Sequence, residues 1–119
     1  MTPPRVLVVD DNVEFRTALC RLLHVRRFVA EVAKDGFEAI EKLERGQPPA
    51  AIVADLLMPG VLGRELLKYV GARSDLAHIP IAFVTGSHLA APAGLTLFRK
   101  PFDAQALVDF LRSAVARAE

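Results

Sequence analysis

The chain has no tryptophan, one cysteine, one tyrosine and no long hydrophobic run, and each absence removes a possibility. A lone Cys20 cannot form an internal disulfide, so the core must hold the fold, as in proteins of a reducing compartment. Lying among Ala18, Leu19, Leu22 and Leu23, Cys20 reads as a small buried hydrophobe rather than a redox centre. No stretch approaches the ~20 apolar residues of a membrane span. The opening Met-Thr-Pro-Pro-Arg lacks the hydrophobic segment of a signal peptide. Neither sign of charge dominates. With 15 Lys and Arg against 14 Asp and Glu, the formal net charge is +1, which gives no electrostatic case for nucleic acid or an anionic membrane. His24, His78 and His88 are scattered and form no cluster with Cys20, which argues against zinc. What remains is a soluble cytoplasmic domain, whose 119 residues, 52% of them hydrophobic, suffice to bury a real core.

Strand-like and helix-like segments alternate from end to end. The runs Val6–Val9, Ala51–Ala54, Ile79–Val84 and Leu95–Phe98 are too short for helices and rich in Val, Ile, Leu or Phe. That is the signature of strands buried on both faces. Phe28–Val32 predicts a further strand. Between them, Asn12–Arg26 carries Phe15, Ala18, Leu19, Leu22 and Leu23 at helical spacing, with Asp11-x-x-Glu14 as a capping box. Asp35-x-x-Glu38 opens a second helix with Ala39, Ile40 and Leu43 on one face, closed by Gly46. A third runs from about Gly63 to Val70 and stops at Gly71. The last follows Asp103 as N-cap, with Ala104, Leu107, Val108, Leu111 and Val115 three and four residues apart. The alternation predicts a single α/β domain, a three-layer α/β/α sandwich with a parallel central sheet. Strand order does not follow from the pattern.

Polar residues mark where these runs end: Asp10–Asp11, Asp55, Thr85 and Lys100. In an open parallel sheet such ends line one crevice, where ligands bind. Two adjacent carboxylates leaving an apolar strand repel each other and lose solvation, which Mg²⁺, an oxygen-seeking ion, offsets. The plainer alternative is that one aspartate caps a helix and the other is solvated. Thr85 before Gly86 reads either as a turn residue or as a hydroxyl able to donate to a phosphoryl oxygen. Lys100 lies in Phe98-Arg99-Lys100-Pro101-Phe102 and supplies a compact positive charge; Arg99, its neighbour, must point to the opposite face.

The string Val53-Ala54-Asp55-Leu56-Leu57-Met58-Pro59-Gly60 is similar to the phosphoacceptor motif Asp-x-x-Met-Pro, and Lys100-Pro101 to a Lys-Pro signature. With Asp10–Asp11 and Thr85, these make the chain resemble, over residues 1–119, the receiver domain of two-component response regulators. The resemblance implies a five-stranded sheet of flavodoxin-like order 2-1-3-4-5. It implies that Asp55 takes a phosphoryl group from a phosphohistidine of a sensor histidine kinase or histidine phosphotransfer protein. It also implies that Mg²⁺ or Mn²⁺ is held by Asp10, Asp11, Asp55 and the backbone carbonyl of Leu57, Asp11 directly and Asp10 mostly through water. Thr85 becomes the switch hydroxyl, Lys100 the phosphoryl counter-charge, and Lys100–Pro101 a candidate cis peptide. Such a protein is a signalling phosphoacceptor rather than a metabolic enzyme, acting on an unknown downstream protein, with no direct role at nucleic acid or membrane. Two alternatives stand beside it. One is a receiver-like scaffold that works without phosphorylation. The other is a phosphohydrolase of the haloacid dehalogenase type, which wants Asp-x-Asp where this chain has Asp10-Asp11-Asn12.

The sequence departs from the receiver pattern in two places. Lys100 follows Thr85 by only 15 positions (100 − 85), and Ser87–Gly94 contains Pro92 and Gly94, so the fourth helix of the family is expected to be truncated or replaced by a loop. Leu97 stands where many receivers carry a Tyr or Phe coupled to the Thr, so that coupling is not expected here unless Phe98 takes over in another register. His88, three residues after Thr85, reads as a surface-loop residue.

Overall fold

A computed structural model describes residues 3–56, 63–86, 96–100 and 103–118. The strands are β1 (Arg5–Val9), β2 (Val29–Ala33), β3 (Ala51–Asp55), β4 (Ile81–Thr85) and β5 (Thr96–Arg99). The helices among the described residues are α1 (Val13–Val25), α2 (Gly36–Arg45), α3 (Gly63–Ala72) and α4 (Ala104–Ala118). All strand pairs are parallel, in the order β2-β1-β3-β4-β5, the flavodoxin-like arrangement expected. The expected truncation of a helix between β4 and β5 concerns residues 87–95, which lie outside the described residues.

The sheet is covered on both sides, and that explains its apolar runs. Leu7, Val9, Ile52, Ala54 and Phe83 face α2 and α3, meeting Ala39, Leu43, Leu66 and Val70. The alternate residues Val6, Val8, Val53 and Val84 face α1 and α4, meeting Leu19, Leu23, Leu107 and Leu111. A strand with helices on both sides has no solvent face on which to place a polar residue. The edge strands differ, with half-buried Glu31 on β2 and exposed Thr96 and Arg99 on β5. No helix among the described residues is long and apolar enough to cross a membrane.

Several element boundaries depart from expectation for identifiable reasons. Asn12, not Asp11, caps α1: its backbone is extended and its side chain accepts the Phe15 N–H at 2.9 Å. Asp11 is thereby left to the strand end. Ala18 faces solvent, while Leu19 and Leu23 carry the buried stripe. Cys20 is half-buried rather than enclosed. Burial pushes its thiol above the ordinary value and outweighs the opposing charge of Arg16, which keeps it a thiol. Ile79 is buried but precedes β4, because Pro80 between them has no N–H to give the ladder and only its carbonyl accepts, from Ile52. Helix α3 continues through Gly71 to Ala72, since buried Leu66 and Val70 outweigh the ~1 kcal/mol that glycine costs in a helix. Asp35 caps α2 as expected, accepting the Glu38 N–H at 2.8 Å, whereas Glu38 reaches back to the N–H of Lys34.

Where α1 turns into β2, Arg27 has φ 69°, a left-handed backbone that side chains other than glycine's adopt at a cost. Its neighbours close the helix, with Phe28 N–H donating to Leu23 O at 2.9 Å and Arg27 N–H to His24 O at 3.1 Å. This is a helix ending at which glycine is the favoured residue. Arg27→Gly is therefore expected to raise the unfolding free energy by roughly 0.5–1 kcal/mol, the relief of strain less glycine's greater chain entropy. Urea denaturation, with an unchanged dependence on denaturant, is the measurement that checks it.

Candidate functional site

The ladder continues one residue past three of the strands. Asp10 N–H donates to Ala33 O at 3.1 Å, Leu56 N–H to Val84 O at 2.9 Å, and Lys100 N–H to Thr85 O at 2.7 Å. Residues just beyond the strands thus sit on hydrogen-bonded backbone at one rim of the sheet. Because β1 and β3 are neighbours, with Val9 opposite Ala54, Asp10 and Asp55 come side by side.

One oxygen from each of Asp10, Asp11 and Asp55 lies within 4.8 Å of the others. Asp10 is the buried member, its side chain 1% exposed, while Asp55 is 15% exposed and Asp11 open to solvent. Asp10 is held by several groups. Its Oδ1 accepts the N–H of Asn12 at 2.9 Å, its Oδ2 accepts from Lys100 Nζ at 3.3 Å, and its backbone carbonyl accepts from Arg16 Nη1 at 3.0 Å. Lys100 Nζ also stands 3.9 Å from Asp55 Oδ2, and 3.8 Å from the centroid of the Phe15 ring. The Lys100 ammonium thus reaches two of the three carboxylates, Asp10 and Asp55. A buried carboxylate in such company needs further positive charge, and a set of hard oxygen donors this close suits a small divalent cation.

Thr85 ends β4 and is 2% exposed. Its strand neighbour Val84 pairs with Asp55, which sets Thr85 beside the carboxylate-bearing end of β3. Leu97 pairs with Phe83 and packs on the same side of the sheet as that residue, the side to which alternation also assigns Thr85. Phe98 lies on the opposite side, its ring edge-on to Phe110 at 6.2 Å, so it does not replace an aromatic at Leu97. Arg99 is exposed and Lys100 turns inward, as alternation requires.

The structure therefore brings Asp10, Asp11, Asp55 and Lys100 together and sets Thr85 at the same rim. The Leu57 carbonyl, the Met58-Pro59-Gly60 turn, His88 and the Lys100–Pro101 bond fall outside the described residues. Sequence reasoning missed Asn12, Phe15 and Arg16. Asn12 carried a signal, an N-cap residue directly before a helical run. Phe15 read only as core, and the Arg16 contact depends on how α1 leaves β1. A cleft of about 780 Å³ opens elsewhere, where the strands begin, between Arg5, Pro48, Pro49, His78 and Pro80. It contains none of these acids.

Comparison with known proteins points the same way. The response regulator receiver domain family matches residues 6–112. The transcriptional regulatory protein TrcR of Mycobacterium tuberculosis is 35% identical over 98% of this chain and 47% of its own length. The chain spans about half the length of such curated relatives. Among solved structures, the chemotaxis response regulator CheY4 of Vibrio cholerae superposes with a TM-score of 0.82 at 29% identity, covering 95% of this chain and 99% of that one. The receiver domain of the sensor histidine kinase PA1611 of Pseudomonas aeruginosa, described with a magnesium ion coordinated in its active site cleft, has a TM-score of 0.85 at 23% identity. It covers 96% of this chain and 98% of its own, a likeness of fold. The chain belongs to the response regulator receiver domain family.

Proposed function

We propose that residues 1–119 form one cytoplasmic receiver domain in which Asp55 is the phosphoacceptor of a two-component or phosphorelay pathway. The observation that carries this reading is the placement of Lys100 between Asp10 and Asp55, with three carboxylates within 4.8 Å of one another. The donor is a phosphohistidine on a sensor histidine kinase or histidine phosphotransfer protein. An Asp55 oxygen attacks the phosphorus, the P–N bond breaks with its electron pair passing to the imidazole, and an acyl phosphate forms. Phosphoryl transfer needs little covalent help; alignment and charge neutralisation supply most of the catalysis. The Lys100 ammonium, already 3.9 Å from Asp55, balances charge on the transferred group, and the Thr85 hydroxyl donates to another of its oxygens.

Asp10, Asp11, Asp55 and the carbonyl of Leu57 are the groups that would hold Mg²⁺ or Mn²⁺. When bound, the ion adds positive charge against the phosphoryl oxygens. That the PA1611 receiver is described with magnesium in its cleft supports the assignment. Phosphorylation adds roughly 1 negative charge to the Asp55 side chain, judged from the −1.5 to −2 of a phosphoryl group. Thr85 is drawn towards it, and the altered surface of the β4 end changes affinity for a downstream protein.

Acetyl phosphate with Mg²⁺ is expected to raise the protein's mass by one phosphoryl group, and Asp55→Asn to abolish the gain. A gain that survives the substitution refutes Asp55 as acceptor, and partner binding indifferent to the same change marks a phosphorylation-independent scaffold. Chelating the divalent cation with EDTA is expected to stop uptake. Added Mg²⁺ should raise the midpoint of thermal unfolding for the native chain but not for Asp11→Asn, because only a ligand bound to the folded state stabilises it. Lys100→Met is expected to slow uptake by roughly 100-fold, the usual cost of removing one preorganised electrostatic contact, as read from the time course of the mass gain.

A further inference from the structure

Four residues around the site close a loop of contacts. Asp10 Oδ1 accepts the Asn12 N–H, Asn12 Oδ1 accepts the Phe15 N–H, the Phe15 ring faces Lys100 Nζ at 3.8 Å, and Lys100 Nζ returns to Asp10 Oδ2 at 3.3 Å. The ring is fixed from behind, since Phe15 packs against the cluster containing Leu19 and Leu23, and from beside by the capped first turn of α1. An ammonium 3.8 Å from a ring centroid is well within the ~6 Å over which the π face attracts a cation.

Of the three contacts of Lys100 Nζ, those with Asp10 and Asp55 are with carboxylates and that with Phe15 is with an uncharged ring. Asp10 is a carboxylate in the cation-binding cluster, so its charge is shared with any ion that enters. The Phe15 face carries no net charge and coordinates no ion. Its attraction for the ammonium comes from the ring quadrupole and not from the charge of the acids. The geometry points to Phe15 as a positioning residue, which keeps the Lys100 ammonium at the Asp55 end of the crevice when Asp10 is engaged by a divalent cation. This rests on the reading of Asp55 as phosphoacceptor and deepens it: Phe15 touches no reacting atom and acts through Lys100.

The test compares the full chain with Phe15→Leu, which keeps apolar bulk but loses the π face, and with Phe15→Tyr, which keeps the face. Acetyl phosphate at saturating Mg²⁺ gives the phosphorylation rate by mass, Mg²⁺ titration gives the affinity of the acid cluster, and ¹H–¹³C spectra report the Lys100 ε-methylene. The native Lys100 methylene is expected to show an upfield ring-current shift that Phe15→Leu removes and Phe15→Tyr retains. Phe15→Leu is expected to slow phosphorylation about three- to tenfold, the range of a partly desolvated cation–π contact, with Mg²⁺ affinity unchanged within about twofold and Phe15→Tyr restoring the rate. A Phe15→Leu variant as fast as the native chain overturns the inference. So does a Phe15→Tyr variant as slow as Phe15→Leu, a native Lys100 resonance without the upfield shift, or a Phe15→Leu variant that loses Mg²⁺. If the native chain takes up no phosphoryl group, the functional reading fails and the positioning role with it. Normal uptake with an indifferent Phe15→Leu sinks the positioning role alone.

Discussion

Three carboxylates within 4.8 Å of one another repel, and one of them, Asp10, is almost wholly removed from water. The parallel sheet makes this arrangement and also supplies its partial remedy. Pairing β1 with β3 brings Asp10 to Asp55, and pairing β4 with β5 delivers Lys100 across the same rim. The ammonium satisfies Asp10 directly and stands further from Asp55. The fold thus gathers three carboxylates and the Lys100 ammonium at one point, a donor set whose chemistry suits a small divalent cation.

Rigidity elsewhere keeps the cluster from relaxing. Each acid-bearing strand end is anchored in a ladder, Arg16 clamps the Asp10 carbonyl, and the core clusters on both sides of the sheet fix the strands from which these residues emerge. Away from the site, polar contacts tie the helical layers together. Tyr69 bonds Glu44 and accepts from Arg73, and Arg73 in turn pairs with Asp75, linking α3 to α2. The Arg73 guanidinium holds the Asp75 carboxyl below the usual range. Both groups are solvent-exposed, so the pair contributes little to stability. Arg26 reaches Gln105 and thereby joins the end of α1 to α4. The helix interfaces are thus apolar at the sheet and polar at their outer margins.

Much of this molecule was legible in its residues, since runs of Val, Ile and Leu ending in Asp, Thr or Lys describe buried strands feeding a polar crevice. Reading failed where local and tertiary preferences compete. Pro80 moved the start of β4 past Ile79 because a ladder requires an N–H, and Gly71 did not stop α3 because two buried side chains held the turn around it. Asp11 was read as the cap of α1 and Asn12 as part of the helix, whereas Asn12 caps it, an outcome set by the direction in which α1 leaves β1. Phe15 looked like one more core residue, since nothing in its spacing foretells a lysine 85 positions later in the chain (100 − 15).

By itself the sequence determined the kinds of elements, their alternation and the polar residues that end the strands. Hydrophobic periodicity and chain punctuation are local, and local sterics and burial read them directly. Only the tertiary structure decided which strands are neighbours, that Lys100 rests between Asp10 and Asp55 against the face of Phe15, and that Phe98 turns away from Thr85. Those outcomes depend on packing between segments far apart in the chain, where register and helix placement, rather than any residue's own preference, set the distances.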